Sequence, residues 1–117
     1  MQDYLHKPER NLYVMEQEGV IAGCIGIELT ENMRGQIRHI AVSPKMRGRQ
    51  MGRNMITEIH RLHGLLQLHA ETDCDAAGFY RRCGFNISSL GEKYPGVERF
   101  LCVKRWEVRI APSSPVT

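Results

Sequence analysis

The spacing of apolar residues changes along this chain, and the change limits the folds that the chain can adopt. Three runs in the first third have the alternating or continuous apolar pattern of β-strands, and helical spacing begins only after Pro44. The predicted strands are 11–17, 20–29, 36–42, 65–71 and 98–106, and the predicted helices are 52–63 and 73–83. This order predicts an α/β (α+β) domain with a mixed, mostly antiparallel central sheet and helices on both faces.

Glycine, asparagine and proline mark the connections between these elements. Glu18-Gly19 predicts a hairpin between the first two strands, and residues 30–36 form a turn with Asn32 and Gly35 as breakers. Gly64 ends the first helix. The stretch 88–99 is predicted to be a solvated connector before the last strand.

Length and composition indicate one soluble domain. The 117 residues are expected to form a single domain spanning 1–117, with a short N-terminal segment at 1–10 and a tail at 107–117. No apolar run is long enough to cross a bilayer and no signal peptide is visible, so a cytoplasmic location without membrane contact is expected. The net charge of +3 is too small to imply nucleic acid as a partner.

The four cysteines have no metal-ligand spacing, so buried free thiols and no bound metal are expected.

The basic segment SPKMRGRQMGRNMI (43–56) joins a strand to a helix and has no acidic residue. Successive backbone N–H groups in such a turn converge on one point, and the N-terminus of the helix adds positive charge. Gly48 and Gly52 are expected to let the backbone approach a phosphate, while Arg47, Arg49 and Arg53 neutralise its charge. The segment therefore predicts an anion site, and a solvated basic loop is the alternative.

Two ordered motifs resemble those of the GNAT superfamily of acyl-CoA-dependent N-acyltransferases. In IRHIAVSPKMRGRQMGRNMI, Arg47 and Gly52 match the acetyl-CoA-binding pattern, while Gln50 stands where the family usually has glycine. Glutamine can supply its N–H there if its φ is negative, but not if the position needs a positive φ.

The second motif, DCDAAGFYRRCGF (73–85), resembles the family pattern at Ala76, Tyr80, Gly84 and Phe85, with Asp73 in place of asparagine. The resemblance covers roughly residues 11 to 106.

The resemblance implies a reaction and a cofactor site. A primary amine would attack the thioester of acetyl-CoA directly, and coenzyme A would leave as a thiolate. Oxyanion stabilisation by backbone N–H maps onto Ile40, Ala41 and Val42. The residues implied to bind the cofactor elsewhere are Arg47, Gly48, Arg49, Gln50, Met51, Gly52, Arg53 and Asp73. Asp73 is alternatively the N-cap of its helix.

The catalytic roles fall on Tyr80 and Glu71. Tyr80 is the implied general acid, because a phenol can protonate a thiolate at neutral pH, although it could instead pack its helix on the sheet with Phe79. Glu71 is the first candidate base, with Glu28 and His39 behind it. Glu71 could alternatively cap the following helix, and His39 could be a hydrogen-bonded sheet residue.

The acceptor amine is not specified by the sequence. Glu92, Tyr94 and Glu98 in the stretch 88–99 could hold a cationic small-molecule or peptide amine, such as a polyamine, a lysine side chain or an aminoglycoside. The resemblance also implies a strand and two helices before NLYVMEQ, where this chain has ten residues. A minimal variant and a sequence lacking its start both remain open, as does completion of the acceptor site by a second subunit in a homodimer.

Two other functions remain open: a non-catalytic module that binds acyl-CoA, and a small RNA-binding protein that uses the basic turn. The second lacks an evident aromatic platform for stacking bases.

Overall fold

The computed structural model describes residues 10–107, which form six strands and two helices. The strands are β1 (Arg10–Gln17), β2 (Val20–Thr30), β3 (Arg34–Val42), β4 (Gln67–Thr72), β5 (Asn86–Tyr94) and β6 (Val97–Arg105). The helices are α1 (Met51–His63) and α2 (Cys74–Arg82), and a short 3-10 turn spans Pro44–Met46. The predicted segment 1–10, apart from Arg10, and the predicted tail, apart from Glu107, lie outside the described residues.

All six strands belong to one sheet with the order β1-β2-β3-β4-β6-β5. Every neighbouring pair is antiparallel except β3 and β4, which are parallel. The predicted mixed, mostly antiparallel sheet is therefore confirmed. Within residues 10–107, neither helix is both long and apolar enough to cross a membrane.

Both helices pack on the same face of the sheet. The buried side chains of Ile27, Leu68 and Cys102 lie on that face, with no exposed surface. The helical residues in the same core cluster are Met55, Ile56 and Ile59 from α1 and Tyr80 from α2. Among the described residues no helix covers the other face, so the expectation of helices on both faces holds for one face only. The reason is that both connections out of β3 and β4 return over the same side.

The stretch 88–99 is a β-hairpin, so its prediction as a connector is wrong. β5 pairs with β6 and ends at Tyr94, and Gly96 makes the turn with φ of +78°. Nearly every residue of β5 is exposed, so the strand lacks the apolar alternation that identifies a half-buried strand. Backbone hydrogen bonds to β6 define most of this edge strand, and Ile87 at its start packs against the core.

Two smaller expectations also change. Gly35 lies within β3 opposite Leu29 and does not belong to a turn. All four cysteines are free, but Cys74 is exposed and only Cys83 and Cys102 are buried.

Gly52 brings the start of α1 against α2. A Cβ on Gly52 would lie 2.5 Å from two atoms of the Phe79 ring. No real side chain tolerates that distance, so either the ring or the helix would have to move. Helix packing therefore requires the small size of Gly52, and its predicted role in letting a phosphate approach stays a prediction.

The substitution Gly52→Ala should destabilise the protein by about 1–3 kcal/mol, because the new methyl group overpacks the contact with Phe79. In a Phe79→Ala background the same change should be neutral or stabilising by up to about 1 kcal/mol, since alanine favours the helix over glycine. Urea unfolding of the four chains measures both values. An equal cost of Gly52→Ala in the two backgrounds would show that the contact does not limit this position.

Candidate active site

The parallel strands β3 and β4 separate after a short contact. They pair only at Arg34–Gln67, Gly35–Leu68 and Gln36–His69. β3 stays paired with β2 as far as Val42, and β4 stays paired with β6 as far as Thr72. A wedge-shaped cleft therefore opens in the middle of the sheet, and backbone groups along one side of β3 face the cleft instead of a neighbouring strand.

A cavity of about 480 Å³, here called the cleft cavity, occupies this opening. Residues of β3, β4 and α2 line it. The predicted site residues among them are Ile40, Ala41, Val42, Arg47, Glu71 and Tyr80. The fold thus brings the expected oxyanion segment, the expected acid and the first candidate base to one cavity, although they come from three separate elements.

A second cavity of about 480 Å³, the turn cavity, lies where the basic turn enters α1. The predicted residues that line it are Val42, Arg47, Gly48, Gln50, Met51, Gly52 and Arg53. Val42, Arg47 and Phe79 line both cavities. The two cavities therefore adjoin, and an extended ligand could run from the N-terminus of α1 into the cleft.

The turn presents the positive end of α1 to this space. Gly48 has φ of +83°, and α1 starts directly after Gln50 with no acidic residue in its first turn. Unpaired N–H groups at such a helix start attract anions. Arg47 and Arg49 are exposed, but only Arg47 lines the cavity.

Arg53 has a structural contact besides its expected role. Its guanidinium donates a hydrogen bond to the backbone oxygen of Arg82 at the C-terminal end of α2, which ties α1 to α2. A contact of this charge with phosphate stays a prediction. The side chain still borders the turn cavity.

Gln50 occupies a position that requires positive φ. Its φ of +59° and ψ of +28° are left-handed helical, which explains why glycine is usual there in the family that the motif resembles. At a positive φ, glutamine is predicted not to supply its backbone N–H to the cofactor, and this stays a prediction. The glutamine adopts the left-handed conformation, at a strain cost of about 1–2 kcal/mol.

Asp73 is the N-cap of α2. Its side-chain oxygen accepts a hydrogen bond from the backbone N–H of Ala76 at 3.2 Å. This is the second of its two alternatives, and a contact with the cofactor stays a prediction. The capping role considered for Glu71 is wrong, because Asp73 holds that place.

Tyr80 is buried between two aromatic rings at the floor of the cleft cavity. The rings of Phe79 and Phe85 meet it edge-on, with centroids 5.1 Å and 5.2 Å away, and 5% of its surface is exposed. Tyr80 thus both packs α2 on the sheet and borders the cavity. Burial raises the pKa of Tyr80 to about 12, so the hydroxyl keeps its proton at neutral pH.

Glu71 reaches the cleft cavity from the end of β4 and is held by cations of the β5–β6 hairpin. Its Oε1 lies 3.1 Å from Lys93 Nζ and 4.0 Å from Arg99 Nε. Arg99 also donates to the backbone oxygen of Glu71. The carboxylate would have to leave Lys93 before it could accept a proton from an amine.

The reserve bases lie on the face of the sheet opposite the helices. His39 lines the cleft cavity and faces Gly26 across β2. Glu28 lies two pairs further along, opposite Gln36, and its carboxylate lies 3.6 Å from Arg38 Nη1. In the part of the chain that the structure describes, Glu28 does not border the cleft cavity.

Sequence reasoning missed Arg38. The register between β2 and β3 shifts so that Gly26 faces His39 and Ile27 faces Ile37, which leaves Arg38 as the extra residue of a β-bulge. Bulges redirect side chains, and Arg38 lines the cleft cavity. A bulge has no signature in residue type at this position, so the sequence offered no signal for it.

The carboxylates suggested for the acceptor point elsewhere. Glu92 accepts a hydrogen bond from the Gly96 N–H and Glu98 accepts one from the Ser89 hydroxyl, both within the β5–β6 hairpin. Tyr94 is 67% exposed. In the part of the chain that the structure describes, none of the three lines either cavity.

The buried hydroxyl of Tyr80 should make the protein sensitive to alkali. Its pKa in the folded chain is about 12 against about 10 in an unfolded one. The folded chain therefore holds the phenol proton more tightly than the unfolded chain does. The resulting stability is fully present below pH 10, and the unfolding free energy falls as the pH rises from 10 to 12. Between pH 9 and pH 11 the wild-type chain should lose about 1 kcal/mol more unfolding free energy than Tyr80→Phe. Urea titrations across this range measure the difference, and parallel pH profiles would show that the phenol is not desolvated.

Comparison with known proteins identifies the family of this chain. Residues 8–87 match the acetyltransferase (GNAT) domain family. The IAA acetyltransferase of Azospirillum brasilense is 34% identical over 88 residues, which cover 69% of this chain and 58% of that protein. The chain thus spans less than two thirds of the length of this relative.

Solved structures share the fold. A Bacillus anthracis str. Ames structure described as a streptothricin acetyltransferase, in complex with acetyl coenzyme A, superposes with a TM-score of 0.78 at 22% identity over 91% of this chain and 68% of that one. An aminoglycoside 6'-N-acetyltransferase complexed with coenzyme A gives a TM-score of 0.78 at 14% identity, over 93% of this chain and 79% of that one. The structures show the shared fold, and the family match, which spans most of the sequence, shows that the chain belongs to the GNAT acetyltransferase family.

Proposed function

We propose that this chain binds acetyl-CoA across the turn cavity and the cleft cavity and transfers the acetyl group to a primary amine. One observation carries the proposal: the two cavities share Val42, Arg47 and Phe79, so an anion site at a helix start adjoins a cleft that contains a buried tyrosine. The ligands of the related structures, acetyl coenzyme A and coenzyme A, support the choice of cofactor.

Binding would use the two ends of this space differently. The pyrophosphate would lie at the turn 47–53, where Arg47 and the first N–H groups of α1 offset its charge. The pantetheine arm would pass Phe79 into the cleft between β3 and β4. Energy from the remote phosphates would thereby position the thioester for attack.

The transfer itself would be direct. The amine nitrogen attacks the acetyl carbon, a C–N bond forms, and the C–S bond breaks with its electron pair moving to sulfur. A backbone N–H of the segment Ile40 to Val42, which faces the cleft, would stabilise the oxyanion. The proton lost by the amine goes to Glu71 or to water, and the departing thiolate sulfur accepts a hydrogen bond from the Tyr80 hydroxyl and takes its proton from solvent.

Burial affects how Tyr80 acts. A phenol with a pKa of about 12 does not readily give its proton to a thiolate whose acid has a pKa of about 8.5. The main contribution of Tyr80 is therefore a hydrogen bond to the charge that develops on sulfur, with net proton transfer completed through solvent. Hydrogen-bond donors of this kind typically contribute about 10²–10³-fold in rate.

Kinetics of Tyr80→Phe test this function. The variant keeps the ring that packs against Phe79 and Phe85, so its affinity for acetyl-CoA should stay within about twofold of wild type. Its kcat for amine-dependent thiol release should fall by about 10²-fold or more. Saturating acetyl-CoA should raise the melting temperature of both chains, because only the folded turn presents its N–H groups.

Two outcomes would contradict the proposal. If acetyl-CoA leaves the melting temperatures unchanged, it is not the cofactor. If the kcat of Tyr80→Phe stays within about twofold of wild type, Tyr80 is a packing residue only. Tight binding of acetyl-CoA without thiol release for any amine would favour the non-catalytic module.

A further inference from the structure

The rim of the cleft cavity on the face opposite the helices carries excess positive charge. Arg38 and Glu71 line the cavity, and their ion-pair partners beside it are Glu28, Lys93 and Arg99; these five residues are here called the charged rim. Three cations thus surround two carboxylates, and Arg47 adds a further positive charge from within the cavity. An acceptor with several positive charges would be repelled by such a rim.

Arg38 is the cation best placed to bind a ligand. It lines the cleft cavity, and 42% of its side-chain surface is exposed. Its contacts are long: Nη1 lies 3.6 Å from Glu28 and 3.5 Å from the side-chain oxygen of Gln36. A carboxylate that forms two parallel hydrogen bonds with a guanidinium makes shorter contacts, near 2.8 Å, and is a better partner.

The other side of the cleft offers a carboxylate for an ammonium group. Glu71 lines the same cavity, and its partner Lys93 comes from the exposed edge strand β5. An exposed ion pair of this kind contributes about 1 kcal/mol or less, so a ligand can displace it. Arg38 and Glu71 therefore place one positive and one negative group on opposite strands of one cleft.

We propose that the acceptor is a primary amine that also carries a carboxylate, such as a free amino acid. This inference rests on the proposed function. The carboxylate of the acceptor binds Arg38, while its amine lies on the side of Glu71 and attacks the thioester. Arg38 is thus a specificity-determining residue, and the carboxylate is unchanged by the reaction.

Matched pairs of acceptors that differ only in the α-carboxylate test the proposal. The pairs are phenylalanine with phenethylamine, lysine with cadaverine and ornithine with putrescine, compared at equal concentrations of free amine. Wild type should acetylate the carboxylate-bearing member with a kcat/KM at least about tenfold higher, as expected for a charge-assisted bidentate contact.

Variants at Arg38 then assign the preference. Arg38→Gln should bring each ratio close to one, and Arg38→Lys should restore part of it, because lysine keeps the charge but not the paired donors. The matched control is Arg61→Gln, which removes an exposed arginine of α1 that pairs with Glu58 and borders neither cavity. The control should leave the ratios unchanged.

The outcomes separate this inference from the proposed function. If the amines without a carboxylate react equally well or better, or if Arg38→Gln keeps the preference, the inference is wrong and the acetyltransferase proposal stands. If acetyl-CoA binds but no amine reacts, calorimetry measures the affinity of each acceptor for the coenzyme A complex. Equal affinities of the two members of each pair overturn the inference. If acetyl-CoA does not bind, both proposals fall.

Discussion

The separation of β3 from β4 is the constraint on which the rest of the site depends. Each strand is held along its other edge, β3 by β2 and β4 by β6, so the parallel interface is the one that opens. Backbone groups along the open part of β3 lose a strand partner, and such groups must find water or a ligand instead. The cleft thereby leaves backbone groups of β3 available to a ligand.

The helices make this opening into a site because both cover the same face. The start of α1 and the ring of Phe79 on α2 meet at Gly52, where no side chain intervenes. That contact places the basic turn 47–53 beside the cleft and makes Phe79 part of both cavities. Asp73 and Arg53 hold the ends of α2, one at its first N–H groups and one at its last carbonyl groups. Several residues expected at the cofactor thus also fix the positions of the helices.

The sequence predicted those parts of the fold that bury an apolar face. The first three strands and α1 follow from periodicity, and Gly64 ends α1 with φ of +60°, as its position indicates. β5 was missed because an exposed edge strand has no apolar pattern. The single helical face was also missed, since periodicity shows which side of a helix is buried but not on which side of the sheet it lies.

The candidate site was predicted in its parts but not in its arrangement. The motifs identified the residues around the turn and Tyr80, which line two adjoining cavities. The partners of Glu71 come from a hairpin that the sequence did not predict, and the Arg38 bulge depends on the pairing register with β2. Both features arise from long-range contacts between strands, which local sequence patterns do not encode.

A crystal structure of the protein with acetyl-CoA tests the central claim most directly. The account predicts the pyrophosphate at the turn 47–53, the pantetheine arm between β3 and β4, and the thioester sulfur within hydrogen-bond reach of the Tyr80 hydroxyl. Acetyl-CoA bound away from the cleft, or bound with its sulfur beyond reach of Tyr80, would contradict it.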